Sequence, residues 1–231
     1  MAAYRQLNSN SESTDNYLKA ILALGGRAES RVTSNTLARH LDIAPASVTN
    51  MLQKLAASVP PLVEYERHRG VRLSPAGKKR ALEVLRHHRL IETFLYEMLD
   101  YPIEEVHEEA ERLEHFISER FEERIAAKLG HPKIDPHGHC IPEIDGKMPK
   151  QKSIPLRDVT ARGYYLVESV SDRDPHLLKA LKGSGISPGV RLRIRECVSL
   201  DSYTVSIGRS SKVFNLGEDA ARNIWVLPDY S

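Results

Sequence analysis

The sequence predicts a mainly α-helical chain with a small β component: a winged helix-turn-helix first, a helical middle, and a small β-barrel at the C-terminal end. Three observations carry that class. Apolar residues recur at helical spacing in three short segments before Ala57, and two strand-like runs follow them. Two long helical patterns then occupy roughly residues 75–99 and 104–129. Beyond Ile154 the texture changes to short β-branched runs separated by turns.

Residues 1–13 lack an apolar period and are expected to be frayed. From Thr14 to Leu24, Tyr17, Leu18, Ile21, Leu22 and Leu24 define one helical face. Thr33–Leu41 gives a second helix with Leu37, Ala38 and Leu41 inward. Asp42-Ile43-Ala44 is the tight connection, and Pro45, suited to a first helical turn, opens a third helix that runs to about Ala57. Its buried stripe is Val48, Met51, Leu52 and Leu55. Leu62–Glu66 and Gly70–Leu73 read as strands around a basic tip, Arg67-His68-Arg69-Gly70. Ser74-Pro75-Ala76-Gly77 starts the first long helix, which ends near Tyr101-Pro102. The second is stopped by Gly130 and Pro132. Residues 131–153, rich in Pro, Gly, His and Lys, read as a linker. The C-terminal strands are Tyr164–Val170, Val190–Arg195, Ser202–Ile207 and Ile224–Leu227, interrupted by a helical His176–Lys182.

At 231 residues, with 41% hydrophobic and 28% charged residues, the chain has the composition of a soluble globular protein. No stretch is apolar enough to span a bilayer and the first residues carry no signal-peptide core, so no membrane partner is expected. Two cysteines, Cys140 and Cys197, cannot build a disulfide framework, which points to a reducing cytoplasm. The net charge of +2 conceals an asymmetry. Thr33–Leu90 holds ten Lys/Arg against four Asp/Glu, whereas Ile91–Gly130 holds four against twelve. A basic segment before an acidic one suits a polyanion first and cations second. Solvated helix faces are the alternative reading.

Helix, helix, three-residue turn, helix and a two-stranded wing would lay the third helix in a DNA major groove. Val48 faces the core, while Pro45 opens the helix and Ser47, Thr49 and Asn50 are short polar residues able to meet bases or phosphates. Lys54, Arg67 and Arg69 are candidate phosphate contacts, with Arg69 able to enter a minor groove. Winged helices also serve as protein-interaction modules.

The long helices carry a second signal. His88 and Glu92 are four residues apart and share a face. His107, Glu111, Glu114 and His115 fall at i, i+4, i+7 and i+8, a stripe where an amphipathic helix normally places leucines. Facing stripes of His and Glu can bind a divalent metal, and burying such carboxylates without a cation is unfavourable. An acidic surface helix, rich in Glu104, Glu105, Glu108 and Glu109, would also collect such spacings.

These residues carry a resemblance. Pro45-Ala46-Ser47-Val48-Thr49-Asn50-Met51-Leu52-Gln53-Lys54-Leu55, Arg69-Gly70-Val71-Arg72-Leu73 with Pro75-Ala76-Gly77-Lys78, His88-Arg89-Leu90 with Glu92, and Val106-His107-Glu108-Glu109-Ala110-Glu111 through Glu114-His115 resemble the diphtheria-toxin-repressor family of metalloregulators, in particular its manganese-responsive branch. Residues 154–228, with Ile186-Ser187-Pro188-Gly189, resemble the Src-homology-3-like domain of its longer members. The resemblance implies a winged helix-turn-helix DNA-binding domain at 1–75, a helical metal-binding and dimerisation domain at 76–150 and the Src-homology-3-like domain at 151–231. It also implies a homodimer that binds palindromic operators of metal-transport genes when a divalent metal is bound, and no enzymatic activity. His88, Glu92 and His107 match one ligand set; Glu111, Glu114 and His115, completed by Asn16, match the other.

Iron-responsive members place Cys at the position of Glu111 and Met at that of Asn16. Oxygen donors with imidazole favour Mn2+, leaving Fe2+ as the alternative. Two departures stand out. Manganese-responsive members carry a carboxylate where this chain has Asn16, and Lys19 occupies another of their acidic positions. Glu168, Asp172 and Asp174 are candidate ligands from the C-terminal domain. Outside this class, a carboxylate-bridged metalloenzyme and a zinc module using His131, His137, His139 and Cys140 are the rival readings, although Asp135-Pro136-His137-Gly138 looks like an ordinary turn.

Overall fold

The computed structural model describes residues 2–26, 29–199, 202–208 and 213–229. The chain divides into two compact units. One holds residues 1–87, 114–117 and 142–148; the other holds 88–113, 118–141 and 149–231.

In the first unit, α1 (Ala2–Gly25) starts well before the apolar period does. No Pro or Gly interrupts that stretch, so nothing local stops the helix from extending through the residues expected to be frayed. α2 (Ser34–Leu41) is capped by the Thr33 hydroxyl, which accepts from the Thr36 amide. Asp42 then takes a left-handed conformation and ends it. α3 (Pro45–Ala56) buries Val48, Leu52 and Leu55. β1 (Val63–Glu66) and β2 (Gly70–Leu73) pair antiparallel, and Val32 bridges Val71 on the other side. Gly70 sits at φ +90, and a Cβ there would come within 2.5 Å of the Val32 carbonyl oxygen, so only glycine allows that approach. Leu18, Leu37, Leu52 and Val71 are fully buried at the centre of this core.

α4 (Pro75–Leu99) contributes residues to both units. The second long helix expected from sequence is two helices, α5 (Val106–Leu113) and α6 (Glu119–Lys128). Ser118 caps α6 by accepting the Phe121 amide, and Glu114–Ser118 lies outside both helices. Glu114 and His115 therefore do not continue the stripe of His107 and Glu111. In the second unit, Leu90, Ile125, Ala126 and Ile141 form one apolar cluster.

The β region is a six-stranded antiparallel sheet in the order β3-β8-β4-β5-β6-β7. Its strands are β3 (Ile154–Pro155), β4 (Gly163–Val170), β5 (Arg191–Ser199), β6 (Ser202–Ile207), β7 (Val213–Leu216) and β8 (Ile224–Pro228). α7 (Pro175–Gly183) and the short α8 (Glu218–Arg222) cover its core of Leu156, Val167, Leu192, Ile194, Tyr203 and Ile224. β3, β7 and α8 had no sequence signal of their own. The register between β4 and β8 shifts at a bulge across Glu168, and pairing resumes at Ser169 and Val170, shortly before Asp172.

Candidate metal centre and DNA-reading face

α4 and α5 present His88, Glu92 and His107 to one another. His88 Nε2 lies 3.0 Å from Glu92 Oε1 and 3.1 Å from His107 Nδ1, which is itself 3.3 Å from Glu92 Oε1. Glu92 has no exposed surface. Asp172, just past β4, reaches to 3.9 Å from His107 Nδ1. Of the three acidic residues considered in the C-terminal domain, the structure brings Asp172 to this group. The Asp174 carboxylate instead caps α7 through the amides of His176 and Leu177.

The 131–153 segment adds residues that sequence reading set aside. Asp135 Oδ1 accepts the amides of His137 and His139, each at 2.9 Å, and so folds the His-x-His turn around itself. Gly138, at φ +87, allows that turn to seat on the β4 bulge, since a Cβ would fall 2.0 Å from the Glu168 carbonyl oxygen. The Val170 amide donates to the His137 carbonyl at 2.9 Å. His137 Nε2 meets the Ile103 carbonyl at 3.1 Å, leaving Nδ1 turned to Glu92 Oε1 at 3.8 Å. His139 Nδ1 lies 3.6 Å from Asp172 and 3.4 Å from Asp135. The signal available in the sequence was the His137-x-His139 spacing inside an Asp-Pro turn, which resembles no standard zinc knuckle; its partners lie on α4 and after β4.

Among the described residues, four buried atoms of this group have no hydrogen-bond partner: Glu92 Oε2, His137 Nδ1, His139 Nδ1 and Asp135 Oδ2, the last ion-paired with Arg89 Nε at 3.4 Å. Burial penalises charge on His137, but Glu92, Asp135 and Asp172 outweigh it and raise its pKa to about 9. Burial likewise opposes ionisation of Glu92, yet His88, His107 and His137 hold its carboxyl well below the usual range. Asp172 is also lowered; against its burial, His139 contributes most. Buried carboxylates ringed by imidazoles fit a divalent cation, and the His137–Ile103 bond fixes the orientation of the His137 ring in the way that backbone carbonyls orient imidazoles in metal sites.

A second group lies in the first unit. His115 Nε2 is 3.0 Å from Asn16 Oδ1 and 3.2 Å from Glu114 Oε1. Neighbouring ligands in an octahedral shell with bonds of about 2.1 Å lie roughly 3 Å apart, so this triad also fits an ion. Its electrostatics differ from those of the first group. Lys19 Nζ donates to both Glu114 oxygens, at 2.7 and 2.8 Å. Asp15 faces His115 Nδ1 at 3.6 Å and accepts from Arg80; burial would raise its carboxyl, but His115 and Arg80 keep it low. Glu111, in the other unit, lies 3.8 Å from His88 Nδ1.

On the reading face, Pro45, Ser47, Asn50 and Lys54 are exposed on α3 and Thr49 is half-buried, its hydroxyl donating to the Pro45 carbonyl. Arg67 and Arg69 are exposed at the wing, where Arg69 pairs with Glu66 at 2.9 Å. An exposed pair of this kind contributes about 0–1 kcal/mol, too little to withhold Arg69 from a phosphate.

A winged reading head on the same chain as carboxylate–imidazole clusters defines a metal-dependent transcriptional repressor. Comparison with known proteins agrees. Residues 10–71 match the model of the iron-dependent-repressor N-terminal DNA-binding domain, 74–143 its metal-binding and dimerisation domain, and 154–228 the FeoA domain. The chain belongs to the diphtheria-toxin-repressor family, whose members bind DNA operators as dimers with divalent metal ions. A solved manganese-dependent transcriptional repressor in complex with manganese is 35% identical, with a TM-score of 0.86 over 94% of this chain and 100% of that one. The iron-dependent repressor IdeR of Mycobacterium leprae is 27% identical over 201 residues, 81% of this chain and 86% of IdeR. The regulator MntR of Lysinibacillus sphaericus is 32% identical over 112 residues, 48% of this chain and 77% of MntR. Among the described residues, no helix is long and apolar enough to cross a membrane.

Proposed function

We propose that this chain is a manganese-activated repressor that binds palindromic operators of metal-ion transport genes as a homodimer. The observation that carries the reading is the convergence of His88, Glu92, His107 and Asp172, with Glu92 Oε2 buried and unpartnered, in a chain that also carries a winged reading head. In this reading His88, Glu92, His107 and Asp172 hold one cation and His137 and His139 complete its surroundings. Asn16, Glu114 and His115 hold the other, and Glu111, beside His88, is a further metal ligand in this reading. The preference for Mn2+ rests on a donor set of carboxylate and amide oxygens with imidazoles and no thiolate or thioether, with Fe2+ as the alternative. The domains are 1–75, 76–150 and 151–231 by function, the last a Src-homology-3-like barrel.

Bound at Asn16, Glu114 and His115, a divalent cation supplies a strong electrostatic cross-link. Asn16 belongs to α1, which packs within the reading-head core through Tyr17, Leu18 and Ile21. Fixing α1 to the 114–117 segment selects the reading-head orientation in which two recognition helices of a dimer meet successive major grooves. There Ser47, Thr49 and Asn50 face bases, and Lys54, Arg67 and Arg69 face phosphates.

A gel-shift titration with fragments upstream of metal-transporter genes, at fixed salt, tests this reading. Operator binding should require Mn2+ or, less effectively, Fe2+ under anaerobic conditions. Glu111→Ala should abolish metal-dependent operator binding without unfolding the protein. Metal-independent binding, or unchanged activation in Glu111→Ala, contradicts the assignment.

A further inference from the structure

The ion pair between Lys19 and Glu114 places a cationic competitor at the site proposed for the metal. Its side chain has no exposed surface, and the ammonium of Lys19, whose side chain is 15% exposed, straddles both carboxylate oxygens at 2.7 and 2.8 Å. The ligand atoms beside it, His115 Nε2 and Asn16 Oδ1, lie 3.0 Å apart. We propose that Lys19 is a built-in competitor that sets the metal concentration to which this centre responds. The inference rests on the reading of Asn16, Glu114 and His115 as metal ligands.

An ammonium is a donor with no lone pair, so Lys19 cannot join a coordination shell. It can share Glu114 with a dication only by standing a few ångströms from it in a buried place, where like charges repel strongly. Whether displaced from Glu114 or held against the ion, Lys19 weakens metal binding. It also stabilises the metal-free protein, because Glu114 would otherwise be a buried, unneutralised carboxylate. Lys19 and Asn16 both lie on α1. The ammonium thus joins α1 to the 114–117 segment in the metal-free state, and the cation takes over that connection on binding. A centre guarded in this way ignores traces of metal that the bare ligands would capture.

Mn2+ binding to the full-length protein, followed by the electron paramagnetic resonance of the free ion, tests this directly. Glu114→Gln first identifies which binding event belongs to this centre, because that event should disappear. Lys19→Met keeps the side-chain length and removes the charge, and should tighten the same event by roughly tenfold or more. It should also lower the thermal midpoint of the metal-free protein more than that of the loaded one. Lys19→Arg should behave as the parent does, and Lys19→Gln serves as the uncharged variant should Lys19→Met fail to fold. In a Glu114→Gln background, Lys19→Met should have no further effect on Mn2+ binding. Unchanged or weaker Mn2+ binding in Lys19→Met, with the event still lost in Glu114→Gln, overturns the competition alone. Persistence of every binding event in Glu114→Gln overturns the assignment of the centre itself.

Discussion

Glu92 and Glu114 are both fully buried carboxylates surrounded by histidine, but they are neutralised in different ways. Around Glu92 the hydrogen-bonding and ion-pair neighbours are imidazoles, His88, His107 and His137, and among the described residues Glu92 Oε2 has no hydrogen-bond partner. Around Glu114 a lysine ammonium already occupies both oxygens. In the proposed reading, the first group offers ligand atoms that hydrogen bonds leave unused, and the second is a site whose acid has an internal substitute for a cation. Two such centres would answer to metal at different concentrations with ligands of the same chemical type.

The largest way to break this contrast is Glu92→Ala. It would leave His88, His107 and His137 without their shared carboxylate and should cost the metal-free protein about 3–5 kcal/mol in denaturant unfolding, while removing one metal per chain. A destabilisation of a few tenths would mean that the imidazoles hold together without Glu92.

Protons provide the next test. His137, raised to about 9, stabilises the metal-free fold fully below the ordinary histidine pKa of 6.5, and that contribution is lost as pH rises through about 9. Glu92, lowered, contributes above its ordinary 4.5 and loses that contribution as pH falls. His137 must release its proton for Nδ1 to ligate. Metal affinity at the Glu92 group should then rise by up to about tenfold per pH unit between these limits, with about one proton released per ion at pH 7. Calorimetry in buffers of different ionisation heat counts that proton, and a count of zero removes His137 from the ligand set.

Asp135 sharpens the comparison further. It holds the His137–His139 turn through two backbone amides, so Asp135→Ala should weaken metal binding at the Glu92 group by roughly 10- to 100-fold and leave the Lys19-guarded event in place. Equal loss at both would deny that the groups are separate. The smallest effect belongs to the reading face. Arg67→Ala should lower the salt dependence of operator binding by about one phosphate contact and leave both metal events unchanged.

The reading head was legible almost to the residue, because its signals are local. Thr33 caps α2, Pro45 opens α3, and Val48, Leu52 and Leu55 repeat at helical spacing. The proposed metal ligands were legible only where they lie on one helix face, as His88 and Glu92 do. Glu114 and His115 were read as part of a continuous stripe because the surrounding Glu-rich sequence favours helix. The break depends on the Ser118 cap and on tertiary contacts such as His87 Nδ1 with the Glu114 carbonyl. His137, His139 and Asp172 reach the Glu92 group through a turn and a bulged strand, and no short-range pattern encodes that meeting. Lys19 and Glu114 are 95 residues apart. The sequence showed a lysine at an acidic position of the family but not the carboxylate that it holds.

One coupling, between metal and DNA, underlies the proposed function. Fluorescence anisotropy of a labelled operator, titrated with protein at buffered free Mn2+, measures it in one direction. Mn2+ binding with and without operator measures it in the other. Mn2+ should tighten operator binding, and the operator should tighten Mn2+ binding by the same factor, as linkage requires. Operator affinity that does not change with Mn2+, or with Fe2+ in its place, would contradict the proposed function.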